Sequence, residues 1–142
     1  MRTFHFCRYT YISTKHHYVF CLDYYIRMQT ISVGTHLQLF RGIQSGRRHA
    51  IVKFTSKGCL ACRKMTREFA KMSEVPVDVY DVEYFDNKAL GNFFSIKSVP
   101  TAILFEGGAQ IYRVSGIKGV QDFMNITSGI AANELCIINW DA

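Results

Sequence analysis

The fold of this chain is decided by residues 50–62, whose sequence is AIVKFTSKGCLAC. The apolar run at its start predicts a buried strand, and the apolar residues after it recur every three or four positions, as on one face of a helix. Cys59 and Cys62 therefore stand where a strand gives way to a helix. There the first sulfur faces the free N–H groups of the first helical turn and the positive end of the helix dipole, and both favour thiolate over thiol. A second thiol three residues on can resolve the mixed disulfide that the first one forms, so the motif predicts a redox site.

Zinc binding is an alternative use of the cysteine pair. A structural zinc site takes four ligands, commonly two C-x-x-C pairs or one such pair with clustered histidines. The chain has five cysteines and five histidines but no second C-x-x-C and no H-x₃₋₅-H. We therefore expect no metal site, while zinc binding and an inert pair of buried cysteines remain the competing interpretations.

Length and composition predict one globular domain without a membrane span. The chain has 142 residues, of which 49% are hydrophobic and 14% aromatic, enough to bury a sizeable core. Its longest apolar runs reach about five residues, against the roughly 20 that cross a bilayer. The first 27 residues lack the continuous apolar region of a signal peptide. We therefore expect a reducing, cytoplasmic location, where a C-x-x-C is more often catalytic than structural.

The basic residues form no polybasic tract, although the formal net charge is +6. Basic and aromatic side chains are interleaved in the first 27 residues, a combination that can stack on single-stranded nucleic acid. No nucleic-acid-binding motif organises them. We expect no nucleic-acid partner and no membrane partner.

Strand and helix patterns alternate and predict a mixed α/β domain. Strands are predicted at residues 29–33, 50–54, 77–82, 100–105 and 109–114. Helices are predicted at residues 36–44, from the cysteines to Met72 ahead of Pro76, after a cap at Asp86 or Asn87, and around residues 120–127. The Glu-Gly-Gly turn at residues 106–108 predicts an antiparallel hairpin between the last two strands.

The chain divides into three segments on these patterns. Residues 28–128 form the α/β domain. Residues 1–27 are an aromatic-rich extension of uncertain order, which we expect to be either an unusual extension or absent from the physiological product. Residues 129–142 are an apolar C-terminal tail, which we expect to pack on the domain or on a partner.

The order of these elements and two motifs resemble the thioredoxin family. The motifs are the C-x-x-C at a helix start and Val99-Pro100-Thr101 at the start of a strand. The resemblance covers about residues 28–128 and implies a thioredoxin-like fold, that is, an α/β architecture with a mixed central β-sheet flanked by helices on both faces. It also implies a protein-disulfide oxidoreductase in which Cys59 is the nucleophile and Cys62 the resolving thiol. A cis Val99–Pro100 bond that faces the dithiol is implied as well, with the preceding backbone free to pair with a substrate strand.

Partners and cofactor follow from the same resemblance. It implies disulfide-containing protein substrates, a reductase or dithiol electron donor, and no cofactor other than the redox-active disulfide of Cys59 and Cys62. The expected substrate contacts are Gly58, Leu60, Val99 and Pro100. The role implied is electron transport in cell redox homeostasis.

The chain departs from the family beside the cysteines. Gly58 stands where the family usually has tryptophan, and Leu60 and Ala61 fill the gap that is usually Gly-Pro. These changes bear on substrate contact and on reduction potential. They also leave a second function open, a redox-silent interaction module or accessory subunit of the same fold.

Lys53 is the most consequential departure. It lies six positions before Cys59, where the family commonly has a buried aspartate that accepts a proton from the resolving cysteine. A charged lysine cannot accept that proton. We expect its ammonium to extend to solvent; an ammonium held near the dithiol instead favours the thiolates. Lys53, Lys57 and Arg63 are therefore the candidate modulators of thiol ionisation.

Overall fold

The computed structural model describes residues 28–45 and 47–138, with side chains described as far as residue 130. The 1–27 segment lies outside the described residues, so its predicted nature stays a prediction. The described part contains five strands and four helices, which are β1 (Gln29–Ser32), α1 (His36–Ser45), β2 (His49–Thr55), α2 (Leu60–Ala70), β3 (Asp78–Glu83), α3 (Lys88–Phe93), β4 (Thr101–Glu106), β5 (Ala109–Ser115) and α4 (Val120–Ile138).

Each predicted strand and helix is present; strand ends differ from the predicted bounds by at most one residue, and the larger differences lie at helix ends. Helix α2 ends at Ala70, well before Pro76, because the chain turns there and buries Met72 in the core instead of continuing the helix. Asn87 occupies the N-cap position of α3, but its side-chain amide donates to the carbonyl of Glu83, so the predicted side-chain cap is wrong. Helix α4 continues past residue 129, so the tail begins as helix.

The strands form one mixed sheet in the order β1-β3-β2-β4-β5. Strands β1, β3 and β2 are parallel, because helices connect them as crossovers, while β4 runs antiparallel to both β2 and β5. The predicted hairpin between β4 and β5 is confirmed.

Two apolar clusters cover the two faces of the sheet, because alternate strand residues point to opposite sides. In β2, Val52 and Phe54 join the cluster that includes residues of α1 and α3. Ile51 joins the cluster that includes residues of α2 and α4. Helices therefore flank both faces, and the predicted α/β class is confirmed.

Helix α2 is fixed by a buried stripe, which is formed by Cys62, Met65 and Phe69. The ring of Phe69 stacks on that of Phe123 in α4, with centroids 5.7 Å apart. Burial of each large side chain stabilises the fold by roughly 1.5–3 kcal/mol. The first turn of α2 is thereby held at the carboxyl end of β2. The face of α2 opposite the buried stripe carries the exposed residue Arg67.

Candidate functional site

Cys59 and Cys62 form a disulfide at the N-terminus of α2, with Cα atoms 5.2 Å apart. Cys59 is the N-cap residue and has extended backbone. Its Sγ accepts a hydrogen bond of 3.0 Å from the backbone N–H of Cys62, so the predicted contact of the first sulfur with the first helical turn is present. The same donor and the helix dipole are in place to stabilise a thiolate at Cys59.

The two cysteines differ in exposure. Cys62 is 3% exposed, because it belongs to the buried stripe of α2, whereas Cys59 is half-buried. Leu60, between them, is 74% exposed. Gly58 is exposed and has a φ of 79°, a conformation that glycine adopts without strain. The attacking reagent therefore meets Cys59 first, beside an apolar side chain.

Val99 and Pro100 lie at the same end of the sheet. Their peptide bond is cis, as the resemblance implied. Thr101 is the register partner of Phe54, so the segment before it adjoins the end of β2 from which the chain enters the cysteine motif. The N–H and carbonyl of half-buried Val99 make no hydrogen bond within the described residues. Free strand-edge groups of this kind pair with an extended peptide.

Lys53 is buried, and the expectation that its ammonium reaches solvent is wrong. The residue is 2% exposed, and its Nζ lies 3.2 Å from Oδ2 of Asp81, its register partner on β3. The other carboxylate oxygen of Asp81 accepts a hydrogen bond of 3.0 Å from the hydroxyl of Thr55. A buried ammonium without a counter-ion is costly, so the carboxylate on the next strand explains why Lys53 stays inside.

The ion pair of Lys53 and Asp81 is connected to helix α2. Nζ of Lys53 donates a hydrogen bond of 2.8 Å to Oγ1 of Thr66, and that hydroxyl donates one of 3.1 Å to the carbonyl of Cys62. Polar contacts thus run from Asp81 to the backbone of the second cysteine. Because the Lys53 side chain is shielded from water, solvent and salt screen its charge less than they screen a surface charge.

The other two candidate modulators lie at the surface. Lys57, in the turn before the motif, and Arg63, in the first turn of α2, are both exposed. Solvent and salt screen exposed charges. Their charges are therefore more strongly screened than that of Lys53.

Three polar residues of the site were missed by sequence analysis, namely Asp81, Thr55 and Thr66. One signal was available, since a lysine inside a buried strand requires a counter-ion and a neighbouring predicted strand carries a carboxylate. The register that sets Asp81 opposite Lys53 depends on how the two strands pair, and neither strand's sequence contains it.

A cleft of about 320 Å³ opens beside the buried cysteine. The residues that line it belong to the end of β2, the following turn and α2, and they are Thr55, Ser56, Cys62, Arg63, Thr66 and Arg67. None comes from the segment at Val99 and Pro100. The disulfide is therefore flanked by a free backbone edge and by a separate cleft that has Arg63 and Arg67 among its lining residues.

A disulfide at the start of a helix, a cis-proline before the adjoining strand and a mixed sheet between helices define a thioredoxin-like fold. Comparison with family models gives the same result, since the Thioredoxin model matches residues 33–129. This chain belongs to the thioredoxin family.

Curated relatives share moderate identity with this chain. A bifunctional thioredoxin reductase/thioredoxin of Mycobacterium leprae is 27% identical over 107 residues, which cover 73% of this chain and 23% of that protein. A thioredoxin domain-containing protein of Theileria parva is 33% identical over 81 residues, covering 55% of this chain and 37% of that protein. A thioredoxin of Chlamydia pneumoniae is 28% identical over 78 residues, covering 54% and 76%. The chain thus spans only a minor part of the first two relatives.

Solved structures show the same fold. A mutant thioredoxin of Halobacterium salinarum superposes with a TM-score of 0.65 at 18% identity, covering 72% of this chain and 91% of that one. The oxidised thioredoxin of Plasmodium falciparum superposes with a TM-score of 0.63 at 15% identity, covering 72% and 99%.

Among the described helices, none is long and apolar enough to cross a membrane. The described residues also contain no group of three or more His, Cys, Asp or Glu side chains placed to hold a metal ion. The expectation that the chain has no metal site stays a prediction.

Proposed function

We propose that the protein exchanges dithiol and disulfide with protein substrates through Cys59 and Cys62. The observation that carries this proposal is the disulfide at the N-terminus of α2, with one cysteine half-buried and the other almost fully buried. This asymmetry supports Cys59 as the nucleophile and Cys62 as the resolving thiol.

The exchange takes two displacement steps. The thiolate of Cys59 attacks one sulfur of a substrate disulfide, a mixed disulfide forms, and the other substrate sulfur leaves as a thiolate that takes up a proton. Cys62 then loses its proton and attacks the sulfur of Cys59. The mixed disulfide breaks, the second substrate sulfur leaves and is protonated, and the protein disulfide forms. Two electrons pass to the substrate, and the reverse steps oxidise a substrate dithiol.

The substrate is guided by groups on both sides of the exposed sulfur. The free N–H and carbonyl of Val99 are suited to pair with an extended substrate segment, beside Pro100. Gly58 leaves the approach to Cys59 open, and Leu60 offers apolar contact next to it. This surface takes the place of the tryptophan that the family usually has.

The proton of Cys62 leaves without a carboxylate at position 53. The ammonium of Lys53, which is hydrogen-bonded to α2 through Thr66, favours the thiolate of Cys62 electrostatically. Asp81 reduces this effect because it neutralises part of the charge. The ionisation of the cysteine thiols is accordingly set by the ion pair of Lys53 and Asp81, and not by a single carboxylic acid at position 53.

A dithiol donor or a reductase returns the disulfide to the dithiol and closes the cycle of electron transport. The Mycobacterium leprae relative, whose name joins a thioredoxin reductase to a thioredoxin, supports a reductase as the donor. The proposal includes a cytoplasmic location, because a reducing compartment keeps such a dithiol available for redox homeostasis. It includes no bound cofactor, no nucleic acid and no membrane among the partners.

A redox-silent interaction module is the second candidate function. The observation that favours it is Lys53, since the family's proton acceptor is absent from that position. Thiol titre and metal content of the purified protein, followed by its rate of disulfide reduction with dithiothreitol, separate the candidates. An oxidoreductase should show two thiols that oxidise together and should catalyse disulfide reduction. A silent module and a zinc protein should show no catalysis, and bound metal distinguishes the zinc protein from the silent module.

Trapping variants test the two cysteine roles. Cys62→Ser should accumulate a mixed disulfide between Cys59 and a substrate protein, because no neighbouring thiol remains to release it, while Cys59→Ser should trap nothing. Limiting alkylation near neutral pH should label Cys59 before Cys62. Equal trapping by both variants, or first labelling of Cys62, contradicts the assignment.

A further inference from the structure

Helix α2 carries an excess of positive charge on its solvent side. Arg63, Lys64 and Arg67 are exposed, and none has a carboxylate within ion-pair distance among the described residues. The helix contains one acidic residue, Glu68, and its carboxylate lies 2.6 Å from Nζ of Lys71. The charges nearest the dithiol are therefore left uncompensated within the described part of the domain.

Two of these charges share the cleft beside Cys62. Arg63 and Arg67 are one helical turn apart, so they lie on the same side of α2, and both line the cleft of about 320 Å³. Like charges at this spacing repel each other. An anion between them relieves the repulsion, and the planar guanidinium group fits a carboxylate with two parallel hydrogen bonds.

The buried cation does not compete for this anion. Lys53 lies behind the cleft residue Thr66, but its charge is already paired with Asp81. Arg63 and Arg67 are thus the uncompensated positive charges among the described residues that line the cleft. A carboxylate side chain matches this arrangement, because it places one negative charge beside the two arginines.

The surroundings indicate that the carboxylate belongs to a polypeptide. Exposed Leu60 lies between the two cysteines, and the free backbone groups of Val99 lie at the end of the sheet from which the chain enters the cysteine motif. A small anion uses only the cleft, whereas an extended peptide can use the edge, the apolar contact and the cleft together.

From these contacts we propose that the cleft beside Cys62 binds an Asp or Glu side chain of the protein substrate, and so selects disulfides that are flanked by acidic residues. The inference rests on the proposed function, since it names the substrate class of the same redox site. Arg67 is the residue to test, because Arg63 is also a candidate modulator of thiol ionisation.

The test compares three disulfide-bonded peptides of equal length that differ at one position next to the reactive cysteine, which is Glu, Gln or Lys. The measurement is kcat/KM for their reduction at low ionic strength, with dithiothreitol as donor. For the wild-type protein we expect Glu to exceed Lys by about tenfold, since charge complementarity at an interface rim acts on association. The ratio should shrink at high salt, because salt screens exposed charges.

Two variants of Arg67 and one control locate the effect. Arg67→Gln should reduce the preference for the Glu peptide, and Arg67→Glu should reverse it in favour of the Lys peptide. Lys71→Gln removes the same charge from the same helix but outside the cleft, and it should keep the wild-type preference. Thermal unfolding of each variant confirms that the fold is intact.

Each contrary outcome has a distinct meaning. Equal rates for the three peptides with the wild-type protein overturn the cleft assignment and leave the proposed function standing. Equal loss of preference in Arg67→Gln and Lys71→Gln also overturns it, because net charge then accounts for the selection. Failure to reduce any peptide overturns both the inference and the proposed function.

Discussion

Two ion pairs involve carboxylates of β3, and they differ in what lies around them. Asp78, at the start of the strand, has its Oδ1 3.3 Å from Nε of Arg47, and both side chains are less than a tenth exposed. Asp81, three residues on, pairs with Lys53 and through Thr66 with the backbone of Cys62. Residues three apart in a strand face opposite sides of the sheet. The first pair has both of its side chains buried and is structural, while the second has a partly exposed carboxylate and is hydrogen-bonded to the helix that carries the dithiol.

The two ion pairs should differ most in how far the free energy of unfolding falls when the carboxylate is removed. Asp81→Leu leaves the ammonium of Lys53 buried without a counter-ion, and the free energy of unfolding should fall by about 3–5 kcal/mol. Asp78→Leu should cost less, because Arg47 keeps a further interaction. Urea unfolding measures both values. The double variant Lys53→Met with Asp81→Leu should recover most of the loss; a double variant as unstable as Asp81→Leu contradicts this reading of the pair.

Thiol reactivity should respond to one pair alone. Lys53→Met leaves the negative charge of Asp81 near the dithiol and should shift the pH profile of Cys59 alkylation to higher pH. Asp81→Asn should shift it to lower pH. A unit charge at partial screening is worth on the order of 1 kcal/mol, or about a fivefold change in rate at fixed pH.

The control for this experiment is Asp78→Asn, which should leave the alkylation profile unchanged. A glutathione titration of the couple should agree in sign, since a cation that stabilises the thiolates makes the disulfide more oxidising, with about 30 mV for each tenfold change in equilibrium. Superimposable alkylation curves for wild type, Lys53→Met and Asp81→Asn show that the Lys53 pair has no electrostatic role at the site.

The pH dependence of the free energy of unfolding should reveal the raised pKa of Asp78 in its pair with Arg47. Burial raises the pKa of Asp78 above its ordinary value of 3.8, and Arg47 opposes this only in part. A carboxyl whose pKa is higher in the folded than in the unfolded protein adds stability that is present below the unfolded pKa and lost as pH rises through the folded one. Wild type should therefore lose stability relative to Asp78→Asn as the pH rises from below 3.8 towards neutrality.

A second variant checks the cause of that shift. Arg47→Met removes the opposing charge, so the pKa of Asp78 should rise further and the loss of stability should extend to higher pH. The comparison is made by urea unfolding at a series of pH values. A difference between wild type and Asp78→Asn that is constant over pH rules out the raised pKa.

The exposed ion pair at the end of α2, between Glu68 and Lys71, should contribute least to the free energy of unfolding. Nζ of Lys71 lies 2.6 Å from Glu68, but the side chain of Lys71 is 64% exposed. Lys71→Gln should change the free energy of unfolding by less than about 0.5 kcal/mol. A loss comparable to that of Asp81→Leu means that proximity alone, and not shielding from water, governs these pairs.

The order of strands and helices was predictable from the sequence, because the start and end of each element depend on residues close to it along the chain. The helix start at Cys59 and the strand start after Pro100 depend on groups within a few residues. The position of Lys53 was not predictable in this way, since its burial depends on Asp81, which comes from another strand through the register. Gly129 did not end α4, because a cost near 1 kcal/mol for glycine in a helix is small beside packing that continues at Ile130.

The two apolar clusters lie on opposite faces of the sheet and have no side chain in common. We therefore expect the two layers to differ in how well they tolerate substitutions. Substitutions around Leu39 and Leu90, under α1 and α3, act on a layer that contains neither cysteine, although Val99 packs against it. Around Met65 and Phe69 the same volume changes displace the helix that carries both sulfurs. We therefore expect descendants of this chain to diversify first in the α1 and α3 layer.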